Sequence, residues 1–185
     1  VTELGIMDEI NDDPYIYQKL ITQCIDNGLK TKFQIGRNLT TSNISGYDNL
    51  NESERKICEE AKELYAQARE LCGDFNKTAT RKQEKLDIYK PEHQKLLTIL
   101  INNGVTTKDE LGKKMQTGLR GILVNAGVSN DALVKCEKAS NSFLQISASA
   151  TTIQNFILRK QSSTAPTSPR ANELERSSNS TASNK

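Results

Sequence analysis

Residues 57–75 read ICEEAKELYAQARELCGDF. Within this stretch Ile57, Ala61, Leu64, Ala68, Leu71 and Phe75 recur at spacings of 4, 3, 4, 3 and 4. That rhythm places them on one stripe of an α-helix and leaves the charged residues on the other side. A strand would need alternation of period 2, and there is none. A strict alternation of 4 and 3 is the seam of a helix that packs on other helices. Asn51 and Glu54 stand at the spacing of a capping pair, so the helix opens there. Gly73 and the polar stretch Asn76–Glu84 weaken the pattern at its far end.

The rest of the chain follows the same logic. A second seam runs through Cys136, Ala139, Phe143, Ile146, Ala150, Ile153 and Ile157 and predicts a helix over 130–159. Asp13-Pro14 is a cap followed by an N1 proline, and Ile16, Leu20 and Ile25 lie broadly on one side of the helix expected from there to Gly28. Pro91 opens a shorter helix ending near Asn103. Residues 29–50, rich in Thr, Ser, Asn and Gly, read as a polar loop.

One short pattern repeats. Ile99–Thr106 (ILINNGVT) matches Ile122–Ser129 (ILVNAGVS), and Ile25-Asp26-Asn27-Gly28-Leu29 is a fainter third copy. Its physical meaning is a helix stop: glycine takes the left-handed C′ position and the next apolar residue folds back, Val105 onto Leu100 and Val128 onto Leu123. Thr107 with Glu110, and Ser129 near Asp131, then restart helices. Gly112, Gly118 and Gly121 supply small residues for close helix packing. The expected fold is all-α: an antiparallel bundle of about five helices over residues 1–160. A disordered Ser/Thr/Pro-rich tail or stalk follows over 161–185, where the composition buries too little apolar surface to offset chain entropy.

Composition limits the partners. The apolar share is 35%, aromatics are 5% and there is no Trp, which suits a thin bundle. Twenty-five basic and 23 acidic residues are interspersed, with no basic block of five. The field that draws proteins onto nucleic acid is therefore missing, and a nucleic-acid partner is not expected. No run approaches the roughly 20 apolar residues of a membrane span. The chain starts at Val1 and not Met, which fits either removal of a preceding segment, most simply a signal peptide, or a cut within a longer sequence.

Four cysteines stand at 24, 58, 72 and 136, with no zinc spacing and no Cys-x-x-Cys pair. Two readings remain, two disulfides in an exported protein or four reduced core thiols in a cytosolic one, and the first is the expectation. Cys58 and Cys72 lie 14 residues apart, about 21 Å along one helix, beyond the roughly 7 Å a disulfide spans. Each must reach outward, and the expected pairs are Cys24–Cys58 and Cys72–Cys136, with Cys24–Cys72 and Cys58–Cys136 as the alternative. Each bond would contribute about 2–4 kcal/mol. Five Asn-x-Ser/Thr sequons, roughly twice the chance expectation, add glycosylation candidates at Asn38, Asn43, Asn76 and Asn179; Asn51 is excepted because it caps a helix.

No catalytic constellation appears. The single histidine, His93, follows Pro91 in a first helical turn and is expected at the surface. There is no nucleophile elbow, no phosphate loop, and no metal or cofactor site. The expectation is a non-enzymatic extracellular protein, secreted or surface-anchored, that binds a protein partner through helix faces and the 29–50 loop. A lipid anchor attached beyond the C-terminus is one form of such attachment. Two other readings are an intracellular helix-hairpin-helix-like adaptor for nucleic acid or protein, and a carrier of a small apolar ligand.

Overall fold

The computed structural model describes residues 15–41 and 47–163. Among them there is no strand. Seven α-helices form among the described residues: α1 Gln18–Asp26, α2 Lys32–Thr41, α3 Glu52–Lys77, α4 Pro91–Asn102, α5 Lys108–Gln116, α6 Leu119–Asn125 and α7 Asn130–Ser163. Short 3-10 turns lie at Tyr47–Asn49 and Lys82–Glu84. The all-α class is as expected, with seven helices among the described residues where about five are expected. One compact unit extends to Ser147, and the described residues from Ala148 belong to a second unit. Residues 161–163, expected in the tail, are still helical. Asp13-Pro14 and residues 164–185 lie outside the described residues.

Helix α3 carries the organisation. Its stripe Cys58, Ala61, Tyr65, Ala68, Leu71, Cys72 and Phe75 is buried, and Gly73 faces outward without interrupting the helix. The N-terminal half serves a small core with Leu20, Cys24, Ile35 and Leu50. Its C-terminal half joins a larger core with Phe33, Leu86, Leu96, Leu97, Leu100, Leu111, Leu123 and Cys136. Each fully buried Leu contributes about 2 kcal/mol, so the larger core dominates. Phe33 and Tyr65 meet edge to face, centroids 5.4 Å apart.

Within residues 29–50, of which 42–46 lie outside the described residues, Lys32–Thr41 is not the expected loop. It is helical, and with α3 it forms the most extensive helix pair among the described residues. Phe33, Ile35 and Gly36 are buried there. The polar count misleads because only one face of α2 needs apolar residues, and a glycine supplies part of it: a Cβ on Gly36 would overlap the Ala61 carbonyl. The face of α1 also differs from expectation. Leu20 and Cys24 are buried, whereas Ile16 and Ile25 are exposed.

The N-termini of α1 and α3 share one carboxylate. The Asn51 side chain accepts the Glu54 N–H, and Glu54 Oε2 accepts the Asn51 N–H, each at 2.9 Å. Glu54 Oε1 also accepts the Leu20 N–H at 2.9 Å, a donor the first turn of α1 leaves unpaired. Fully buried Glu54 thus joins two helix starts, where the macrodipole favours a negative charge.

All three copies of the stop motif fold alike. Gly28, Gly104 and Gly127 have φ of +63°, +69° and +68°. Leu29, Val105 and Val128 donate to the carbonyls of Cys24, Leu100 and Leu123 at 2.8, 2.9 and 3.1 Å. Thr107 and Glu110 form the expected capping box of α5. Of the three later glycines only Gly112 serves close packing: a Cβ there would lie 2.6 Å from Phe143 Cγ. Gly118 is the left-handed cap of α6, and Gly121 faces open space.

Two glycines of helical conformation should respond oppositely to alanine. Gly36→Ala forces α2 off α3 and should destabilise by about 3 kcal/mol. Gly73→Ala, with nothing within 4 Å of the added methyl, should stabilise by about 0.5–1 kcal/mol. Urea unfolding of the two variants checks both signs.

Candidate functional site

His93 is the residue the sequence misplaces. It lies in the first turn of α4, yet it is only 2% exposed. The reason is the segment before it. Residues 85–90 have little regular structure, and three side chains from two helices pin their backbone. Asn76 accepts the Leu86 N–H and donates to the Leu86 carbonyl, both at 2.8 Å. His93 Nδ1 accepts the Asp87 N–H at 2.8 Å. Gln94 donates to the Ile88 carbonyl at 2.9 Å. The segment so held borders a cleft of about 900 Å³ lined in part by Lys82, Lys85, Lys90, His93, Asp131 and Lys135. A second cleft of about 400 Å³ adjoins it, sharing Asp131 and Lys135.

With Nδ1 accepting, the neutral imidazole carries its proton on Nε2. That atom is buried and has no hydrogen-bond partner among the described residues. Asp131 Oδ2 sits 3.8 Å away, close enough for its charge to act and too far for a hydrogen bond. The same Oδ2 accepts from Lys135 Nζ at 2.6 Å. Lys135 is 8% exposed, whereas the Asp131 side chain is 67% exposed. The Lys135 hydrogen bond, assisted by the Lys135 charge, holds the Asp131 carboxyl below its usual range.

The four cysteines are free thiols, all buried, so neither Cys24–Cys58 nor Cys72–Cys136 is formed as a bond in this structure. Cys24 and Cys58 share the small core, and a charge on Cys24 raises Cys58. Cys72 and Cys136 share the larger one. The Cys72 thiol is turned toward the Leu86 carbonyl, 3.6 Å away, and the Asn76 amide. Burial pushes Cys24 and Cys58 up to about 11 and Cys136 up to about 12, and it raises Cys72, helped by Asp87. Such thiols stay protonated at neutral pH and make poor nucleophiles.

The remaining expected sites are dispersed. Asn38 lies within α2 with its Oδ1 buried, and the Asn76 amide nitrogen that a glycan would need is donated to Leu86. Asn43 and Asn179 lie outside the described residues. At the turn after α4, the amides of Thr106 and Thr107 go to Glu110 Oε2 at 2.7 and 3.2 Å. These hydrogen bonds lower the Glu110 carboxyl and occupy the donors that a phosphate-holding hairpin would offer.

The second seam divides. Cys136 and Ala139 are buried, while Ile146, Ile153 and Ile157 are exposed. From 148 to 163, Ile153 (60% exposed), Phe156 and Ile157 (49%) recur at i, i+3 and i+4 on one face, with Leu158 exposed beside them. The Lys160 ammonium lies 5.2 Å from the Phe156 ring centre. No charged residue occurs from Ala139 to Leu158 in a chain that is 26% charged. No helix among the described residues is long and apolar enough to cross a membrane.

Comparison with known proteins gives no relative. No family model, curated protein or solved structure matches the chain.

The raised thiols carry a pH signature. Unfolded cysteines ionise near their ordinary value of 9.0, and Cys24 and Cys58 in the fold only near 11. Between those values the unfolded state binds fewer protons, so stability falls as pH rises. The urea midpoint should hold from pH 7 to 8.5 and decline between pH 9 and 11. Replacing Cys24 and Cys58 by Ala should flatten that decline.

Proposed function

We propose that the chain is a non-enzymatic interaction domain that binds a partner protein through a helix face, in an extracellular or surface-anchored setting. The observation that carries the binding reading is the exposed trio Ile153, Phe156 and Ile157 on the last helix. Anchors at i, i+3 and i+4 are how an amphipathic helix enters an apolar groove. The uncharged run from Ala139 to Leu158 supports a partner chosen by shape and apolarity. Burying the three anchors is worth about 1.5–3 kcal/mol each. Association itself costs roughly 4–15 kcal/mol, so the trio supports a transient complex. Residues 29–50 drop out of this proposal, because α2 turns its buried face to α3.

The extracellular part rests on the sequons and on the cysteines, which segregate two by two into the two cores. No two of these thiols lie at disulfide distance in this structure, so export would oxidise them as Cys24–Cys58 and Cys72–Cys136 only with a shift of the helices that carry them. Intact mass of protein from its native source, before and after reductant, is the measurement: a gain of four protons agrees with export, and four free thiols remove that part of the proposal.

For the binding face, a photoreactive residue at position 156 should give a discrete adduct in extracellular material of the source. Ile153→Asp with Ile157→Asp should abolish that adduct and lower affinity for the captured protein at least tenfold. Stability should move by less than about 0.5 kcal/mol, as expected for exposed positions. An adduct that survives both substitutions would overturn the assignment of the face.

A further inference from the structure

We propose that the cleft beside His93 is a binding site for a small organic anion, whose carboxylate or phosphate oxygen takes the place now held by Asp131 Oδ2. The proposal does not depend on the helix-face reading.

Two buried donors converge on one exposed acceptor. Lys135 Nζ lies 2.6 Å from Asp131 Oδ2, and His93 Nε2 lies 3.8 Å from it without a hydrogen bond. Lys135 and His93 are fixed by their burial, and His93 also by the Asp87 N–H on its other nitrogen. Asp131 is fixed by neither, since most of its side chain is in water. A carboxylate that leaves this position for solvent is rehydrated at once, whereas the two donors are not. A buried donor without an acceptor costs about 1–3 kcal/mol, so the donors favour whichever oxyanion reaches both. The Asp131 carboxylate is thus an internal occupant that meets one donor well and the other poorly.

The surroundings favour a ligand larger than a bare ion. The cleft holds about 900 Å³, and its lining carries Lys82, Lys85, Lys90 and Lys135 against Asp87 and Asp131. The lining is therefore net positive although the chain is nearly neutral overall. A second acidic group on the ligand would meet the rim lysines, and the polar pinning of residues 85–90 keeps that rim in place.

Citrate and inorganic phosphate, each titrated at constant ionic strength into the full chain, separate the two kinds of oxyanion. Binding is read from the NMR signals of the His93 ring and the Lys135 side chain. The expected result is a saturable shift at both residues with at least one of the two anions. Asp131→Asn removes the competing charge and should tighten binding at least fivefold. Lys135→Met should weaken it at least tenfold, with circular dichroism confirming the fold of each variant. Saturable shifts confined to Lys82, Lys85 and Lys90, or affinity unchanged or weakened by Asp131→Asn, would overturn the proposal. So would the absence of any shift in both wild type and Asp131→Asn.

Discussion

Helix α3 has one buried stripe and two cores to fill with it. It spans them along its length: Cys58 and Ala61 belong to the small core and Tyr65 through Phe75 to the large one, while α2 adds Ile35 to the first and Phe33 to the second. The consequence is a tight constraint on the N-terminal half. There the apolar residues are small, so stability depends on close approach more than on area. Gly36 lets α2 reach the Ala61 carbonyl, and buried Glu54 ties α3 to the first turn of α1. The C-terminal half has Leu71, Phe75 and the leucines of α4 to draw on, where burial alone outweighs such details.

Polar side chains do the corresponding work at residues 85–90. That segment buries only Leu86, too little to hold a backbone in place, and Asn76, His93 and Gln94 fix it by hydrogen bonds to the main chain. Anchoring by hydrogen bonds leaves space that packing would have filled, and the cleft is that space. The imidazole pays for its burial at Nδ1 and leaves Nε2 directed at a carboxylate it does not quite reach. The same polar device therefore explains both the position of the loop and the character of the cleft.

The last helix shows the opposite economy. Its seam keeps the same 3–4 rhythm through Ile157, but only its first turns are covered. Periodicity records which side chains share a face and is indifferent to whether another element covers that face. An uncovered apolar face on a long helix is a common feature of surfaces that bind.

Local features were legible in the sequence because their energetics involve residues a few positions apart. The stripe of α3, the capping boxes at Asn51 and Thr107, and the three glycine stops all act within about one turn, so residue order alone determined them. What lay beyond reach involved contacts between distant residues. Lys32–Thr41 is helical because Gly36 meets Ala61, and composition cannot report that contact. His93 is buried because residues 86–89 fold over the start of α4, and its proximity to Asp131 spans 38 positions. The cysteine spacing showed only that Cys58 and Cys72 cannot meet. The direction of each thiol, such as Cys72 toward Leu86, was decided by packing, since a side chain turns to the partner that tertiary structure brings within reach.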